Sequence, residues 1–317
     1  MKTEEQDSIT TNSVTADLIR KAQRPKWNRD KTTGLLVFLP SVIVMLVIGL
    51  YPILRVLSYS LYDVDVFLNK QVFSGLDNLL KVLVWDDFWN ALWNDIVITA
   101  SSIIIQIVIS VFIAVLLNRQ FFGRNAVRGV VMFSYLVPIV VAALVWRFML
   151  NDLVGIVNHV INALHLPIPT TWFGAVSTAK PTVIGIFVWK FFPFMVLVFL
   201  AQLQSIDPVL YEAAKVDGSS SWQEFRYITF PSLKPVILIA AMLRTIWQFN
   251  DFSIIQLTSG GGPLGSTETP PLLIYNIVFS SWNLGRGAAV SLVMFVILIL
   301  MSLVYIRLYN RAQQQLT

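Results

Sequence analysis

Six apolar runs of about 20 residues alternate with short polar segments along the chain, and a run of that length crosses a hydrocarbon core. They fall at roughly 34–58, 94–117, 127–150, 181–203, 236–257 and 287–308. The expected fold class is therefore all-α and integral to a membrane, with six transmembrane helices. Pro40, Pro52, Pro138 and Pro193 lie in or at the ends of these runs. Membrane helices tolerate such breaks where neighbours or water satisfy the freed carbonyls. Between the runs, 59–93 reads as a short amphipathic cap carrying Asp63, Asp65, Asp77, Asp86 and Asp87, and 151–180 and 258–286 read as rim loops. The remaining long connection, 204–235, is a polar island.

Charge orients the runs. Residues 1–33 are polar, and Arg20, Lys21, Arg24, Lys26, Arg29 and Lys31 bunch just ahead of the first run. No small-residue cleavage site follows, so this reads as a cytoplasmic tail and an uncleaved first helix. With the N-terminus inside, fifteen Lys and Arg fall on the inner segments and six on the outer ones. That bias places both termini, 118–128 and 204–235 in the cytoplasm. The chain is divided into the tail, a membrane domain over 34–312 and a short end at 313–317. Only 13% of the residues are charged, against about 25% in soluble domains.

The island has an internal grammar. Asp207-Pro208 is a helix start, with Asp as N-cap and Pro at the first helical position. A short helix carries Tyr211, Glu212, Ala213 and Ala214. Asp217-Gly218 ends it, because Gly supplies the positive φ of a tight turn. Ser221-Trp222-Gln223-Glu224 reads as a capping box opening a second short helix. Pro231 and Pro235 are expected to end that helix and restart the chain. Two short helices on a Gly turn make a projecting elbow, and Tyr, Trp and Phe on it suit a docking surface.

This stretch resembles the cytoplasmic loop of permease subunits of ATP-binding-cassette (ABC) importers: Glu-Ala-Ala, three residues, Gly, nine residues, then Ile-x-Leu-Pro. Glu212, Ala213, Ala214, Gly218, Ile228 and Pro231 hold those places, with Phe230 for the Leu. Trp146-Arg147-Phe148, Trp189-Lys190-Phe191-Phe192-Pro193 and Trp247–Phe252 with the following Gly-Gly-Gly-Pro turn extend the likeness to the maltose-type sugar branch, over about 34–312. The resemblance implies a type I importer domain in the bacterial inner membrane, beside a second homologous permease, two ATPase subunits and an extracytoplasmic binding protein. It implies that Glu212, Ala213, Ala214, Asp217, Gly218 and Phe225 couple to the ATPase, Glu212 pairing with an ATPase residue and Phe225 seating in its cleft. ATP and Mg would sit on those partners. This chain has no Gly-x4-Gly-Lys-Ser/Thr loop to hold phosphates and no catalytic triad, so it is not expected to be an enzyme. With no Cys and only His159 and His165, a metal site is not expected either.

Three charged residues fall inside the fourth and fifth runs: Lys190, Arg244 and Asp251. Each costs roughly 2.5–3.5 kcal/mol at a bilayer centre on insertion scales, so each should face a partner or a watery cavity. Arg244, Trp247, Gln248 and Asp251 are spaced i, i+3, i+4, i+7 and are expected on one helix face. Trp189, Lys190, Phe191 and Phe194 lie near Pro193. Aromatic faces beside hydrogen-bonding groups suit a sugar ring, and the maltose-type likeness assigns sugar contact to most of these positions. Two readings stay open: a substrate wall made by these eight residues, or an ion-pair network of Lys190, Arg244 and Asp251 locking helices, with the rings as packing. Two cations against one anion also admit an acidic sugar derivative or a glycerol-phosphate-like solute. Rivals from other classes are an ion-gradient-driven transporter using Asp251 and a membrane scaffold without transport.

Overall fold

The structure, a computed structural model, describes residues 27–65, 70–167 and 171–314. Most of the basic tail expected at 1–33 lies outside them. The chain divides into two compact units at Arg55 and Val56. In the first, α1 (Trp27–Met45) runs into one wide π turn, Leu46–Leu50, and the helix goes on as α2 (Tyr51–Ser60), whose last residues already belong to the second. Leu36, Phe38, Met45 and Ile48 stand exposed around it. A helix apolar on every side suits lipid.

The second unit continues with an antiparallel hairpin, β1 (Tyr62–Asp65) and β2 (Lys70–Phe73), then α3 (Asp77–Leu83). The buried Asn78 amide donates to the Ser60 and Tyr62 carbonyls at 3.3 and 3.0 Å and ties the hairpin down. The expected amphipathic cap is thus part sheet. The helix after it, α4 (Asp86–Asn118), starts earlier than the apolar run predicts. Asp86 and Asp87 in its first turn favour that start through the helix dipole.

Among the described residues, five helices are long and apolar enough to cross a membrane, or up to six if a pair bent by 94° counts as one span. The bent pair is α5 (Arg124–Leu136) and α6 (Ile139–Met149), where the apolar run at 127–150 predicts one helix. Pro138 breaks it. Its ring forces Val137 to an extended ψ of 129°, as expected for the residue before proline. Pro193 does the opposite of what its sequence context suggests. After the short α7 (Ile156–Ala163), α8 (Val176–Gln204) runs through both Pro181 and Pro193. Its long contact with α4 holds it: Gln106 donates to the Phe187 carbonyl at 3.2 Å and Ser110 to the Phe192 carbonyl at 2.8 Å. Around them Ala114, Leu117, Met195, Phe199 and Leu233 close one core cluster.

Beyond the elbow helices α9 (Pro208–Val216) and α10 (Ser221–Glu224), the chain does not restart at Pro231 and Pro235. It continues through a π turn, Phe225–Thr229, straight into α11 (Phe230–Phe249). The turn admits one extra residue, so the Phe230 N–H reaches the Phe225 carbonyl, and Pro231 falls in the first turn of the next segment, where its missing donor is tolerated. The helix ends at Asn250, before the Asp251 that the apolar run includes. Two short helices, α12 (Ser253–Leu257) and α13 (Pro270–Tyr275), lead to the last span, α14 (Leu284–Gln314). The loop between α12 and α13 is pinned from below: Asn94 donates to the Gly265 and Glu268 carbonyls, and Lys180 donates to Asn94 at 2.9 Å. Burial pushes the Glu268 carboxyl up from its ordinary value, against the lowering effect of its bond from Asn276.

Candidate solute path and coupling elbow

The elbow forms as its residues dictate. Asp207 accepts from the Val209 N–H at 3.0 Å and Pro208 takes the first helical place of α9. Gly218 has φ +77°. Its N–H reaches the Lys215 carbonyl, and the Ser219 N–H reaches the Ala214 carbonyl at 2.9 Å, the paired bonds of a Schellman stop. The capping box sits one residue earlier than the sequence suggests. Ser220 is the N-cap, and the Gln223 side chain reaches back to the Ser220 N–H at 2.7 Å. Gln at the third helical position makes the reciprocal bond that fixes this frame.

Two contacts brace the elbow. The Tyr211 and Thr229 hydroxyls meet at 2.9 Å and join α9 to the π turn. Trp222 stacks on Phe225 at 5.6 Å, and Phe225 leans on Phe230 at 6.2 Å. Phe225 is therefore half-buried as a support, while Trp222, Tyr227 and Val216 are 69%, 75% and 88% exposed. Glu212, Ala213, Asp217 and Gly218 are exposed and Ala214 is half-buried. A cavity of about 290 Å³ lies behind the elbow, lined by Arg119, Tyr211, Lys215, Glu224 and Phe225 among others. Exposed apolar side chains on a rigid, hydrogen-bonded frame are what a docking surface needs. Tyr227 and Val216 were not singled out by motif, because neither stands at a motif position.

In the spans, the eight candidate residues separate into groups. Trp247 is 48% exposed and meets Phe194 edge-on at 5.3 Å. Phe194 stacks on Tyr135 at 6.2 Å, and Tyr135 is 38% exposed. Three helices, α5, α8 and α11, thus contribute one ring each to an aromatic strip. Arg244 and Gln248 turn away from it and are 2% exposed. The Arg244 guanidinium lies 3.8 Å from the centre of the Phe191 ring and donates to Gln106 at 3.3 Å and Gln248 at 3.1 Å. Trp189 packs edge-on against Trp146. Asp251, beyond the end of α11, accepts from the Ile254 N–H at 3.0 Å, in the first turn of α12. The expected single face from Arg244 to Asp251 is broken there, because Asn250 ends the helix.

Lys190 is buried, and its ammonium donates to three carbonyls: Ser134 at 2.9 Å, Tyr135 at 2.9 Å and Val137 at 2.6 Å. These are the carbonyls at the broken end of α5. Among the described residues no carboxylate lies within ion-pair distance of Lys190 or Arg244, so the ion pairs of the helix-locking alternative are not formed there. Both cations are occupied by neutral acceptors and rings. Sequence reading passed over Gln106 and Tyr135. It also passed over Asp95, which is 2% exposed on α4 and has one oxygen bonded to Thr99 and the other without a partner among the described residues. A buried acid inside an apolar run was the available signal for Asp95. Nothing in the sequence marks Gln106 or Tyr135 out from ordinary helix residues.

Comparison with known proteins agrees with this architecture. Residues 106–317 match the model of the family described as binding-protein-dependent transport system inner membrane component. The trehalose/maltose transport system permease protein MalF of Thermococcus litoralis is 34% identical over 279 residues, covering 88% of this chain and 94% of that protein. The sulfoquinovosyl glycerol transport system permease protein SmoG of Agrobacterium fabrum is 30% identical over 296 residues, covering 92% and 96%. Among solved structures, a chain of a bacterial alginate ABC transporter in complex with an alginate pentasaccharide-bound periplasmic protein superposes with a TM-score of 0.78 at 22% identity, covering 90% of this chain and 97% of that one. The chain belongs to the family of multi-pass inner-membrane permease subunits of binding-protein-dependent ABC transporters.

Proposed function

We propose that this chain forms half of the translocation path of an importer for a neutral sugar or oligosaccharide. A second homologous permease supplies the other half. Two ATPase subunits, carrying ATP and Mg, grip the elbows of the two permeases, and an extracytoplasmic binding protein delivers the solute. The elbow and both termini face the cytoplasm, and the bent pair α5 and α6 counts as the third of six spans. Closure of the ATPase pair moves the elbows and rocks the spans between inward- and outward-facing states.

The observation that carries the substrate class is the aromatic strip of Tyr135, Phe194 and Trp247, open beside two buried cations. An open ring face with both cations buried favours stacking on a sugar face over capture of an anion. Hydrogen bonds to neutral acceptors leave both charges in place, but Lys190 and Arg244 are buried, so a ligand on the strip meets rings before it meets either cation. The relatives include permeases named for trehalose, maltose and lactose, and one for sulfoquinovosyl glycerol. Family membership sets aside an ion-gradient transporter and a scaffold.

The test is ATP hydrolysis by the four-subunit complex in proteoliposomes, with its binding protein and a panel of sugars. Stimulation by maltose, trehalose or lactose above that by a uronate disaccharide is expected. Stimulation only by acidic members of the panel refutes the neutral class.

A further inference from the structure

The carbonyls at the end of α5 pose a problem that the chain solves from another helix. Pro138 has no N–H for the Ser134 carbonyl four residues before it, and the extended Val137 turns the chain away before the next donors can reach back. A helix of this length carries partial negative charge at its C-terminus. Bare carbonyls in a membrane cost several kcal/mol each. Lys190 of α8 supplies what is missing: one ammonium, three donors and three carbonyls at 2.6–2.9 Å. One turn further along the same face of α8 stands Phe194, the middle ring of the aromatic strip. The ring of Tyr135 lies 5.6 Å from the Lys190 ammonium and 6.2 Å from the Phe194 ring.

We propose that Lys190 is a positioning residue for sugar recognition: by capping the broken end of α5 from α8, it holds the Tyr135 ring in register with Phe194 and Trp247 without touching the solute itself. The role rests on the sugar reading above only for its functional consequence. The brace itself is a property of this chain. Charge at position 190 then acts on substrate affinity through geometry, and an uncharged side chain of similar length leaves the end of α5 free to swing.

The chain has no Cys, which makes the geometry directly measurable. Tyr135→Cys and Phe194→Cys are combined and treated with a short bifunctional thiol reagent in membranes carrying the full complex. Crosslinking is expected with Lys190 present, to be largely kept by Lys190→Arg, and to be lost in Lys190→Met. In single variants with both rings intact, Lys190→Met is expected to raise the KM for maltose- or trehalose-driven uptake about tenfold with kcat little changed, the mark of lost binding rather than lost chemistry. Lys190→Arg is expected to restore most of that affinity. Undiminished crosslinking in Lys190→Met, or a fall in kcat with KM untouched, overturns the proposal. Should Lys190→Met fail to assemble, Lys190→Gln takes its place, since its shorter, uncharged amide cannot hold all three carbonyls, and wild-type crosslinking in that variant overturns the proposal equally. If neither sugar is transported by the unmodified complex, the sugar reading fails while the crosslinking result still decides the role of Lys190.

Discussion

Gly218 offers the sharpest separation between backbone conformation and steric contact in the elbow. Its φ of +77° lies in the left-handed region, and a Cβ built there meets nothing within 4 Å. Any loss on substitution is therefore conformational. A non-Gly residue pays roughly 1–2 kcal/mol in that region, least for Asn and most for a β-branched side chain. The Schellman bonds from Gly218 to Lys215 and from Ser219 to Ala214 hold only while that φ is kept. A penalty of one to two kcal/mol lowers the population of the docking-competent elbow by a factor of about 5–30. The expected order of ATPase retention and of substrate-coupled hydrolysis is Gly, then Asn, Ala and Val, with Gly218→Val losing about tenfold. Co-purification of the ATPase subunits and hydrolysis per assembled complex measure both. Membrane insertion should be unchanged along the series, because no core contact is touched. If Gly218→Val couples as well as Gly218→Asn, the turn does not set the elbow and the reasoning is wrong.

Trp247→Ala removes the exposed end of the aromatic strip and is expected to raise the KM for sugar uptake about fivefold, for a stacking contact of about 1 kcal/mol, with assembly intact on size exclusion. Gln106→Leu strands a buried Arg244 donor and should destabilise the complex by about 1–3 kcal/mol. Replacing Gln106, Arg244 and Gln248 together by Leu, Met and Leu should cost less than that single change, which thermal unfolding in detergent can show. Ser220→Cys on the elbow should be labelled by an impermeant maleimide only in inverted vesicles, and labelling from outside intact cells would overturn the proposed orientation. For Glu268, burial raises the folded pKa, so ionisation is penalised in the fold: the cost is absent below the ordinary Glu range and appears as pH rises through the raised value. Glu268→Gln should therefore raise the unfolding midpoint at neutral pH and lose that advantage in acid.

Much of the molecule follows from local sequence alone. The apolar runs locate the long helices because a bilayer admits little else. Asp207, Pro208 and Gly218 write the elbow's caps and turn in adjacent residues, and those features stand in the structure where expected, apart from the one-residue shift of the capping box to Ser220. What local sequence does not determine is how a helix treats a proline. Pro138 breaks its span by 94°, whereas Pro193 and Pro231 are carried through. The difference lies in neighbours: a packed α4 along α8, a π turn ahead of Pro231, and an extended Val137 before Pro138. Tertiary structure also decides the fate of charge. Lys190 and Arg244 look alike in sequence as costly cations awaiting a ligand. Their partners are backbone carbonyls more than fifty residues away, two glutamines and a ring. A carbonyl has no sequence signature, since every residue carries one, and only the bend of α5 determines which of them are left for Lys190 to bind.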